Sequence, residues 1–548
     1  MSPNTTTTTT RTSLSEFQSS YPPIQIPCTD LYSFIFGQLS RCSSNVPALI
    51  DAATDEQVSY SELHARINRL AAGLSAHWGI KKGNVVAIYA PNTIDFVISV
   101  YAIVRLGATV TTANAAYTSK ELVYQLRDAN AVAILTVPSA LNVARESALS
   151  AGISTSRIAV MGSRASSDAP HIRDLMVDLE PPKIVFTLDE LAQHPAFLCY
   201  SSGTTGRSKG VILTHRNITA NVAQNAAVKV TDYTQCRVWS AILPFYHVYG
   251  LVSIMAVALY QRCTLVIMEK FEFKAFLEMV QKYKVQGLQV APPIVVQILN
   301  NPLAKQYDLS SIKAMHSAAA PLSKDIEDAV SERFGLPIKQ GFGMTESGPS
   351  SHSNPNHKIK SGSIGILYPN MEAKIIHVET GQTVPIGEEG EMCLRGPNIM
   401  KGYLNNAEAT RNTIDSEGWL HTGDIARADT EGYFYIVDRL KELIKYKGFQ
   451  VPPAELEGIL LTHPMVLDAA VIPRNDARAG EVPRAYIVLR PESCVSETEI
   501  REFVDGKVSG HKKLRGGVRF IPAIPKSPSG KILRRVLRDM DKREMAKL

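Results

Sequence analysis

The sequence predicts a layered α/β fold, with a large N-terminal domain followed by a small C-terminal α+β domain. Short apolar runs typical of buried strands alternate with segments whose apolar residues recur at helical spacing, and this alternation indicates layered α/β sheets. The chain has 548 residues, which is more than one hydrophobic core usually serves. Near residue 440, glycine-rich segments give way to short elements with frequent charges. We therefore expect a domain boundary there.

Local patterns predict the individual elements in chain order. Six threonines follow Asn4, and polar residues dominate as far as residue 20. Such a segment has little apolar area to offset the entropy of ordering, so residues 1–20 are predicted to form a disordered tail. Beyond the tail, apolar spacing predicts helices over Ser59–Trp78, Thr93–Gly107 and Glu497–Val508, and strands over Val85–Ala90, Ala131–Val137, Ala196–Tyr200 and Thr264–Met268.

Composition excludes several classes of protein. Apolar residues make up 45% and charged residues 20% of the chain, as in an average globular protein. The net charge of +6 is spread without a dominant basic block, which argues against nucleic-acid binding. No run of 18 apolar residues and no signal-peptide core occurs, so a transmembrane span is not expected. The seven cysteines form no C-x-x-C pair, as expected of free thiols in a reducing compartment.

The segment Tyr200–Gly210, YSSGTTGRSKG, is predicted to bind a polyphosphate. A strand leads into a loop whose glycines allow a tight turn, whose backbone N–H groups and hydroxyls are donors, and whose lysine is a mobile cation. A Walker A loop would need Gly-Lys-Ser/Thr, but the sequence has Ser208-Lys209-Gly210, which excludes a P-loop NTPase. A surface turn rich in Gly, Ser and Thr is the alternative. The candidate phosphate-binding residues are Ser201, Ser202, Gly203, Thr204, Thr205 and Lys209.

Five further motifs follow this loop. Taken alone, each has a structural interpretation: a histidine among aromatic residues is often part of a core, Thr-Glu-Ser can cap a turn, and a lysine-rich stretch can be a solvated helix face. A glycine between a lysine and an aromatic residue is poor helix material, however, which argues against the last interpretation. The motifs are LPFYHVYG (Leu243–Gly250), QGFGMTES (Gln340–Ser347), HTGDIA (His421–Ala426), VDRLKELIKYKGFQVPPAELE (Val437–Glu457) and PKSPSGKILRR (Pro525–Arg535).

In this order, the loop and the motifs resemble the signature of the adenylate-forming superfamily, which comprises acyl- and aryl-CoA ligases, beetle luciferases and the adenylation domains of peptide synthetases. The proline usual before the loop lysine is Ser208 here. The resemblance implies a distorted barrel within the large domain, residues 21–438, and a mobile small domain, residues 439–548, with a hinge near Lys441. It implies ATP-dependent activation of a carboxylic acid through an acyl adenylate, which then passes to the thiol of CoA.

The resemblance also implies residue roles. Lys531 would bridge the attacking carboxylate and the α-phosphate, His247 would lie near the acyl carboxylate, and Glu346 would hold the Mg²⁺ that accompanies ATP. A carboxylate beside a phosphate requires such a bridging cation. The catalytic residues implied are Lys531, His247, Lys445 and Thr345; ATP or AMP would contact the phosphate-binding loop with Gln340, Gly341, Thr345, Asp424, Arg439, Lys441 and Gln450; CoA would contact Lys270, Lys447 and Gly448; and the acyl group would contact Tyr249, Ser253 and Ala319.

The nearest resemblance is to 4-coumarate–CoA ligases and their fungal-type relatives, but the acyl pocket departs from theirs. Val252 stands where plant ligases place an asparagine, and Ala318 stands where glycine is common. Because an apolar Val252 leaves a phenol hydroxyl without a partner, a fatty acid or a plain arylalkanoate competes with a hydroxycinnamate. A luciferase-like adenylating oxygenase and a non-catalytic nucleotide-binding relative are the alternative functions.

The C-terminal tripeptide predicts a location. The chain ends Ala546-Lys547-Leu548, a close variant of the S-K-L peroxisomal signal. A peroxisomal import receptor is therefore a predicted partner, beside the acid, ATP and CoA. A cytoplasmic location is the alternative.

Overall fold

The structure is a computed structural model. It describes residues 14–37, 46–163, 168–201, 208–229, 236–335, 338–447, 449–476, 478–491, 493–527 and 530–545.

The strands are numbered in chain order. They are β1 Glu16–Gln18, β2 Pro47–Asp51, β3 Gln57–Ser59, β4 Val85–Tyr89, β5 Thr109–Ala113, β6 Ala131–Thr136, β7 Ile158–Val160, β8 Pro195–Ser201, β9 Lys209–Thr214, β10 Val238–Ala241, β11 Thr264–Ile267, β12 Gly287–Val290, β13 Ala314–Ser317, β14 Ile338–Gly343, β15 Ser350–Ser353, β16 Ile366–Leu367, β17 Glu372–Ile376, β18 Gly390–Arg395, β19 Gly402–Tyr403, β20 Leu420–Ala428, β21 Phe434–Arg439, β22 Ile444–Tyr446, β23 Phe449–Val451, β24 Val466–Asp476, β25 Gly480–Leu489 and β26 Val518–Phe520.

The helices are numbered in the same way, and a π-helical segment, Tyr249–Ala256, leads directly into α8. They are α1 Leu31–Phe36, α2 Tyr60–Trp78, α3 Ile94–Arg105, α4 Ser119–Asp128, α5 Leu141–Ala151, α6 Leu188–Gln193, α7 His215–Val228, α8 Val257–Tyr260, α9 Phe273–Tyr283, α10 Pro292–Asn300, α11 Lys324–Phe334, α12 Ala407–Arg411, α13 Pro453–Leu461, α14 Glu497–Asp505 and α15 Arg534–Met545.

Two largely parallel sheets form the body of the large domain. One has seven strands in the order β19-β9-β8-β5-β4-β6-β7, and the other has nine in the order β16-β15-β14-β13-β12-β10-β11-β2-β3. Helix α3 is buried along nearly its whole length, because its sequence is apolar on every face. Ser59 and Thr93 cap α2 and α3 through their side chains. The predicted helices and strands, and with them the α/β class, are confirmed to within a few residues at their ends.

A third, antiparallel sheet of the large domain has the order β1-β17-β18-β20-β21. Its first strand corrects the predicted disordered tail, which does not extend to residue 20. Strand β1 pairs with β17, and Phe17 packs edge-on against Phe434 with ring centroids 5.0 Å apart. The ring contact of Phe17 and the backbone hydrogen bonds to β17 therefore order a segment that is otherwise polar. Residues 1–13 lie outside the described part of the chain.

The small domain has its own sheet, β23-β22-β25-β24, with β26 paired to β25. Its core includes Ile444, Val471 and Ile500, which are fully buried. The sheet of the large domain ends with β21 at Arg439, one residue past the predicted boundary, and the next strand, β22, already belongs to the small domain. No disulfide bond joins two of the described cysteines, of which four are buried and two exposed. Among the described residues, no helix has both the length and the apolar character of a membrane span.

The π-helical segment depends on a close backbone approach at Gly250. A Cβ atom there would lie 2.1 Å from the carbonyl oxygen of Pro244, so Gly250→Ala must displace the turn that carries His247. Overpacking of this kind costs about 1–3 kcal/mol. We expect Gly250→Ala to lower the thermal unfolding midpoint by several degrees and to reduce adenylation. In the control variant Gly458→Ala, the new Cβ meets only the Cβ of Ser323 at 3.6 Å, and helix propensity favours alanine. Equal midpoints for the two variants would contradict this account.

Candidate active site

A cavity of about 2540 Å³ lies where the small domain faces the large one. The large domain contributes β14 and the ends of β20 and β21, and the small domain contributes the loop before α15. This cavity brings together five residues that the sequence predicted to act on the nucleotide: Gln340, Gly341, Asp424, Arg439 and Lys531.

Lys531 reaches this cavity from the small domain. Gly530 precedes it with a φ of +85°, a conformation that favours glycine, and the loop packs close to Pro293. Burial, followed by the charge of Arg439, lowers the pKa of Lys531 to about 8, while the carboxylates of Asp424 and Glu346 oppose the shift. The ammonium therefore feels the charges of groups that belong to the other domain.

Asp424 is a buried carboxylate with one unused oxygen. Its Oδ1 lies 3.2 Å from the Nε of Arg439, whereas its Oδ2 is buried without a hydrogen-bond partner. Burial raises the pKa of Asp424, while the charges of Arg439 and Lys531 act in the opposite direction. A buried, unpaired acceptor is costly. A ribose hydroxyl is a donor that would satisfy it.

Glu346 belongs to a second cluster that includes a residue the motifs did not reveal. The hydroxyl of Tyr403 donates to Oε1 of buried Glu346 at 2.8 Å, and the Nζ of Lys209 lies 4.1 Å from the centre of the Tyr403 ring. Burial and the charge of Glu346 raise the pKa of Tyr403. Strand β19, which carries Tyr403, pairs with β9, which begins at Lys209. Tyr403 thus links the lysine of the phosphate-binding loop to the candidate metal ligand.

The phosphate-binding loop is held at both ends by the hairpin of β8 and β9, in which Ser201 faces Lys209. The hydroxyl of Tyr124 donates to the carbonyl oxygen of Ser208 at 3.0 Å, and the hydroxyl of Tyr200 donates to Asp128 at 2.6 Å. The remaining predicted loop residues lie outside the described part of the chain: Ser202, Gly203, Thr204 and Thr205.

His247 and Thr345 lie on two turns of the large domain. The Nδ1 of His247 accepts the backbone N–H of Tyr249 at 3.3 Å. Burial, with a smaller contribution from the charge of Lys531, lowers the pKa of His247 to about 3, so the imidazole is neutral at physiological pH. Thr345 begins the 3₁₀ turn that also carries Glu346. Both predicted residues are therefore placed beside the groups that surround Lys531.

The predicted acyl-binding residues Tyr249 and Ser253 line a second cavity of about 10 Å³, in which their hydroxyls lie. The Tyr249 hydroxyl lies 3.1 Å from Nδ1 of His316, and the Ser253 hydroxyl lies 2.9 Å from that of Ser350. Burial lowers the pKa of His316 to about 3. A Cβ at Gly341 would lie 2.5 Å from Nε2 of His316, so this position requires glycine.

Ala319, the third predicted acyl-binding residue, lines the large cavity with a φ of +76°. A residue other than glycine in this region carries strain, which is often found at functional sites.

The predicted CoA-binding and hinge residues do not join the cavity. Lys441, Lys445, Lys447 and Gln450 are exposed, Lys445 and Gln450 as facing partners in the β22–β23 hairpin, and Lys270 is exposed after β11. The nucleotide contacts of Lys441 and Gln450 stay predictions, since both side chains are exposed and neither lines the cavity in this arrangement of the domains. Gly448 lies outside the described residues.

Comparisons with known proteins agree with this geometry. Residues 38–404 match the AMP-binding enzyme family, and residues 455–531 match the AMP-binding enzyme C-terminal domain. The chain is 42% identical to 4-coumarate–CoA ligase of Vanilla planifolia over 541 residues, covering 95% of each chain. It is 41% identical to 4-coumarate–CoA ligase 1 of Petroselinum crispum over 538 residues, covering 95% of this chain and 96% of the relative.

Solved structures show the same architecture. The anthranilate CoA ligase AuaEII in complex with anthranoyl-AMP superposes with a TM-score of 0.87 at 26% identity, covering 95% of this chain and 99% of that one. ATP-bound MatB from Rhodopseudomonas palustris gives a TM-score of 0.84 at 28% identity, covering 93% and 98%. Fold and site define an adenylate-forming enzyme. The chain belongs to the AMP-binding enzyme family, and it is an ATP-dependent carboxylate–CoA ligase.

The contact between Tyr403 and Glu346 generates a prediction. Tyr403→Phe removes only the hydroxyl that donates to Oε1 of Glu346, and a hydrogen bond to a charged group contributes about 1.5–3 kcal/mol. We expect ATP–pyrophosphate exchange to fall about tenfold. Tyr433→Phe is the control, because it removes a hydroxyl that donates to the carbonyl oxygen of Lys358 at 2.8 Å, and it should keep full activity. If the two variants lose activity equally, Tyr403 has no specific part in the site.

Proposed function

We propose that this ligase joins a cinnamic-type arylalkenoic acid to CoA through an acyl-AMP intermediate. The observation that carries the proposal is the position of Lys531, which lines one cavity with Asp424 and Arg439 of the large domain. The charges of Arg439, Asp424 and Glu346 act on its ammonium. This arrangement suits the first of two half-reactions.

In the first half-reaction, an oxygen of the substrate carboxylate attacks the α-phosphorus of ATP. The bond to the β-phosphate oxygen breaks, and pyrophosphate leaves. Lys531 and Thr345 stabilise the charge that develops on the α-phosphate oxygens, and Lys209 with its loop holds the leaving pyrophosphate. Neutral His247 lies beside the acyl carboxylate and adds no competing charge.

Glu346 suits a magnesium ion that arrives with the nucleotide. Its carboxylate is buried and oriented by Tyr403, and Mg²⁺ is usually bound by one or two carboxylates together with substrate phosphates. When bound, the ion would neutralise phosphate charge that would otherwise repel Glu346. Glu346 thus fits the predicted metal role.

In the second half-reaction, the sulfur of CoA attacks the acyl carbonyl carbon, and AMP leaves. The small domain turns about the hinge near Lys441, Lys531 withdraws, and the exposed hairpin that carries Lys445, Lys447 and Gln450 takes its place. Lys270 of the large domain is a further contact for CoA. The exposure of these side chains in the present arrangement is what such an exchange requires.

A pair of variants separates the two half-reactions. We expect Lys531→Ala to reduce acyl-AMP formation about 10²–10³-fold, as does removal of a single preorganised donor elsewhere. Lys445→Ala should form acyl-AMP at nearly the wild-type rate and slow only thioester formation. Rapid-quench measurements of acyl-AMP and acyl-CoA in single turnovers give both rates, and each variant is the control for the other.

The lowered pKa of Lys531 predicts how kcat/KM for ATP depends on pH. Its pKa is lowered to about 8, so the charged form is lost as the pH rises through that value. The kcat/KM for ATP, which reports the free enzyme, should therefore decrease above about pH 8. Lys531→Arg should shift this decrease upward. If Lys531→Ala forms acyl-AMP at the wild-type rate, Lys531 does not have this role. The same conclusion follows if Lys445→Ala slows acyl-AMP formation and Lys531→Ala slows only thioester formation.

The polar cavity favours an acid whose distal end forms hydrogen bonds. Around it lie the Tyr249 hydroxyl, the Ser253–Ser350 pair, and His316, whose Nε2 is buried without a partner. A fatty acyl chain would offer no partner to Nε2 of His316, and a site built for hydrogen bonds penalises an unpaired polar atom. Val252, whose apolar side chain argued against a phenol in the sequence, is fully buried in the core. Ser253 supplies a polar group at the cavity instead.

An acid panel tests this substrate class. We expect para-hydroxycinnamic acid to exceed unsubstituted cinnamic acid at least tenfold in kcat/KM, and saturated fatty acids to rank below both. Ser253→Ala should narrow the difference between the two cinnamic acids. Ser147→Ala, which alters a buried serine in α5, should leave it unchanged. A fatty acid preferred over both aromatic acids would overturn the assignment.

Peroxisomal import through the C-terminal tripeptide, with a peroxisomal import receptor as partner, remains part of the proposal. Residues 546–548 lie outside the described part of the chain. Support for import comes from the sequence Ala-Lys-Leu, and a cytoplasmic location is the alternative.

A further inference from the structure

The strand that carries Asp424 departs from regular pairing where that residue lies. In the pair of β18 with β20, Glu391 faces Ile425 and Cys393 faces His421. Residues 422–424 of β20 therefore face the single residue Met392 of β18. Such a bulge bends a strand and redirects its side chains, and bulges are common beside active sites. Here the bulge sets the direction of the Asp424 carboxylate.

Side chains replace the missing ladder of backbone hydrogen bonds in this bulge. The Thr422 hydroxyl donates to the carbonyl oxygen of Met392 at 2.6 Å, and the Asp424 N–H donates to that hydroxyl at 3.1 Å. Gly423, with a φ of +69°, donates its N–H to Oε1 of Glu391 at 3.0 Å. Glu391 thus supplies the acceptor for the residue directly before Asp424.

Glu391 is itself fixed by a charged histidine. Its Oε2 lies 3.1 Å from Nδ1 of His421, and Nε2 of the same ring lies 3.6 Å from Oδ2 of Asp415. Hydrogen bonds to Cys393 and Glu391 raise the pKa of His421 to about 10. An imidazolium between two carboxylates holds the Glu391 side chain in one orientation.

We infer that Glu391, oriented by His421, is a positioning residue that directs the Asp424 carboxylate toward the ribose of the nucleotide. This inference rests on the proposed nucleotide role of Asp424. Neither Glu391 nor His421 lines the large cavity, so both act on the nucleotide through the bulge.

The same cluster contains the ligand types of a metal site, since atoms of Glu391, Cys393 and His421 lie within 4.8 Å of one another. A transition metal would require a deprotonated Cys393 and a neutral His421. In the structure, each imidazole nitrogen faces a carboxylate, and the bonds of Glu391 lead to Gly423. These contacts favour a positioning role over metal binding.

The variant Glu391→Gln tests this inference. Its KM for ATP and its KM for the acid are measured separately. The amide NH₂ and the charged His421 are both donors, so the new side chain cannot keep its contacts with His421 and Gly423 together. We expect the KM for ATP to rise about tenfold, with the KM for the acid and the unfolding midpoint little changed. Glu389→Gln is the matched control, because Glu389 is exposed and lies directly before β18, two residues from Glu391, and it should match the wild type.

A double-mutant cycle with Asp424→Ala shows whether the effect passes through Asp424. If it does, Glu391→Gln adds little to the KM for ATP once Asp424 is removed. An equal further rise in the Asp424→Ala background, or no rise in the single variant, overturns the inference. If Asp424→Ala itself leaves the KM for ATP unchanged, the proposed nucleotide site fails, and this inference fails with it.

Two further measurements complete the test. If Glu391→Gln does not fold, His421→Gln takes its place in the double-mutant cycle. The KM for ATP is then expected to rise about threefold, because Glu391 still accepts the N–H of Gly423.

Titration of the full chain with Co²⁺ should give no thiolate-to-metal charge-transfer band that depends on Cys393. Such a band, lost in Cys393→Ser, would replace the positioning role with a metal site.

Discussion

The arrangement of the two domains depends on the burial of one ammonium group between them. Lys531 belongs to the small domain, yet the charges that act on it belong to the large one: Arg439 lowers its pKa, and Asp424 and Glu346 raise it. Removing a lysine from water is costly unless carboxylates compensate. The carboxylates of Asp424 and Glu346 thus partly offset the cost of placing this ammonium at the domain interface.

Strand β21 connects this site to the body of the small domain. Arg439 at its end enters the cavity, while its neighbour Asp438 accepts the backbone N–H of Ala454 in the first turn of α13 at 2.8 Å. A carboxylate at a helix N-terminus is favoured by the helix dipole. Within the small domain, Arg534 forms two hydrogen bonds with buried Glu457, at 2.7 and 2.8 Å. The helix after the Lys531 loop is thereby fixed to α13, so the loop is anchored within the small domain.

Sequence patterns predicted those parts of the site that lie in contiguous motifs. Asp424, Arg439 and Lys531 occur in short ordered runs, and the structure brings them together. Tyr403 and Glu391 carry no such signal, because one lies on a two-residue strand and the other is a single acidic residue within the central strand β18. Their importance arises from pairing between strands distant in the chain, which local periodicity does not contain. The ordered β1 escaped prediction for the same reason, since its stability comes from β17 and Phe434.

The acyl cavity shows how backbone geometry decides which side chains meet the substrate. The segment Tyr249–Ala256 is π-helical, so each turn contains more residues than an α-turn. Positions four apart still share a face, but positions three apart are turned further from each other than in an α-helix. Tyr249 and Ser253 therefore both line the cavity, whereas Val252 is rotated into the core. Spacing in the sequence alone does not distinguish these two outcomes, because it does not reveal the widened turn. The polarity of the cavity is thus a property of the π-helix as much as of the residues in it.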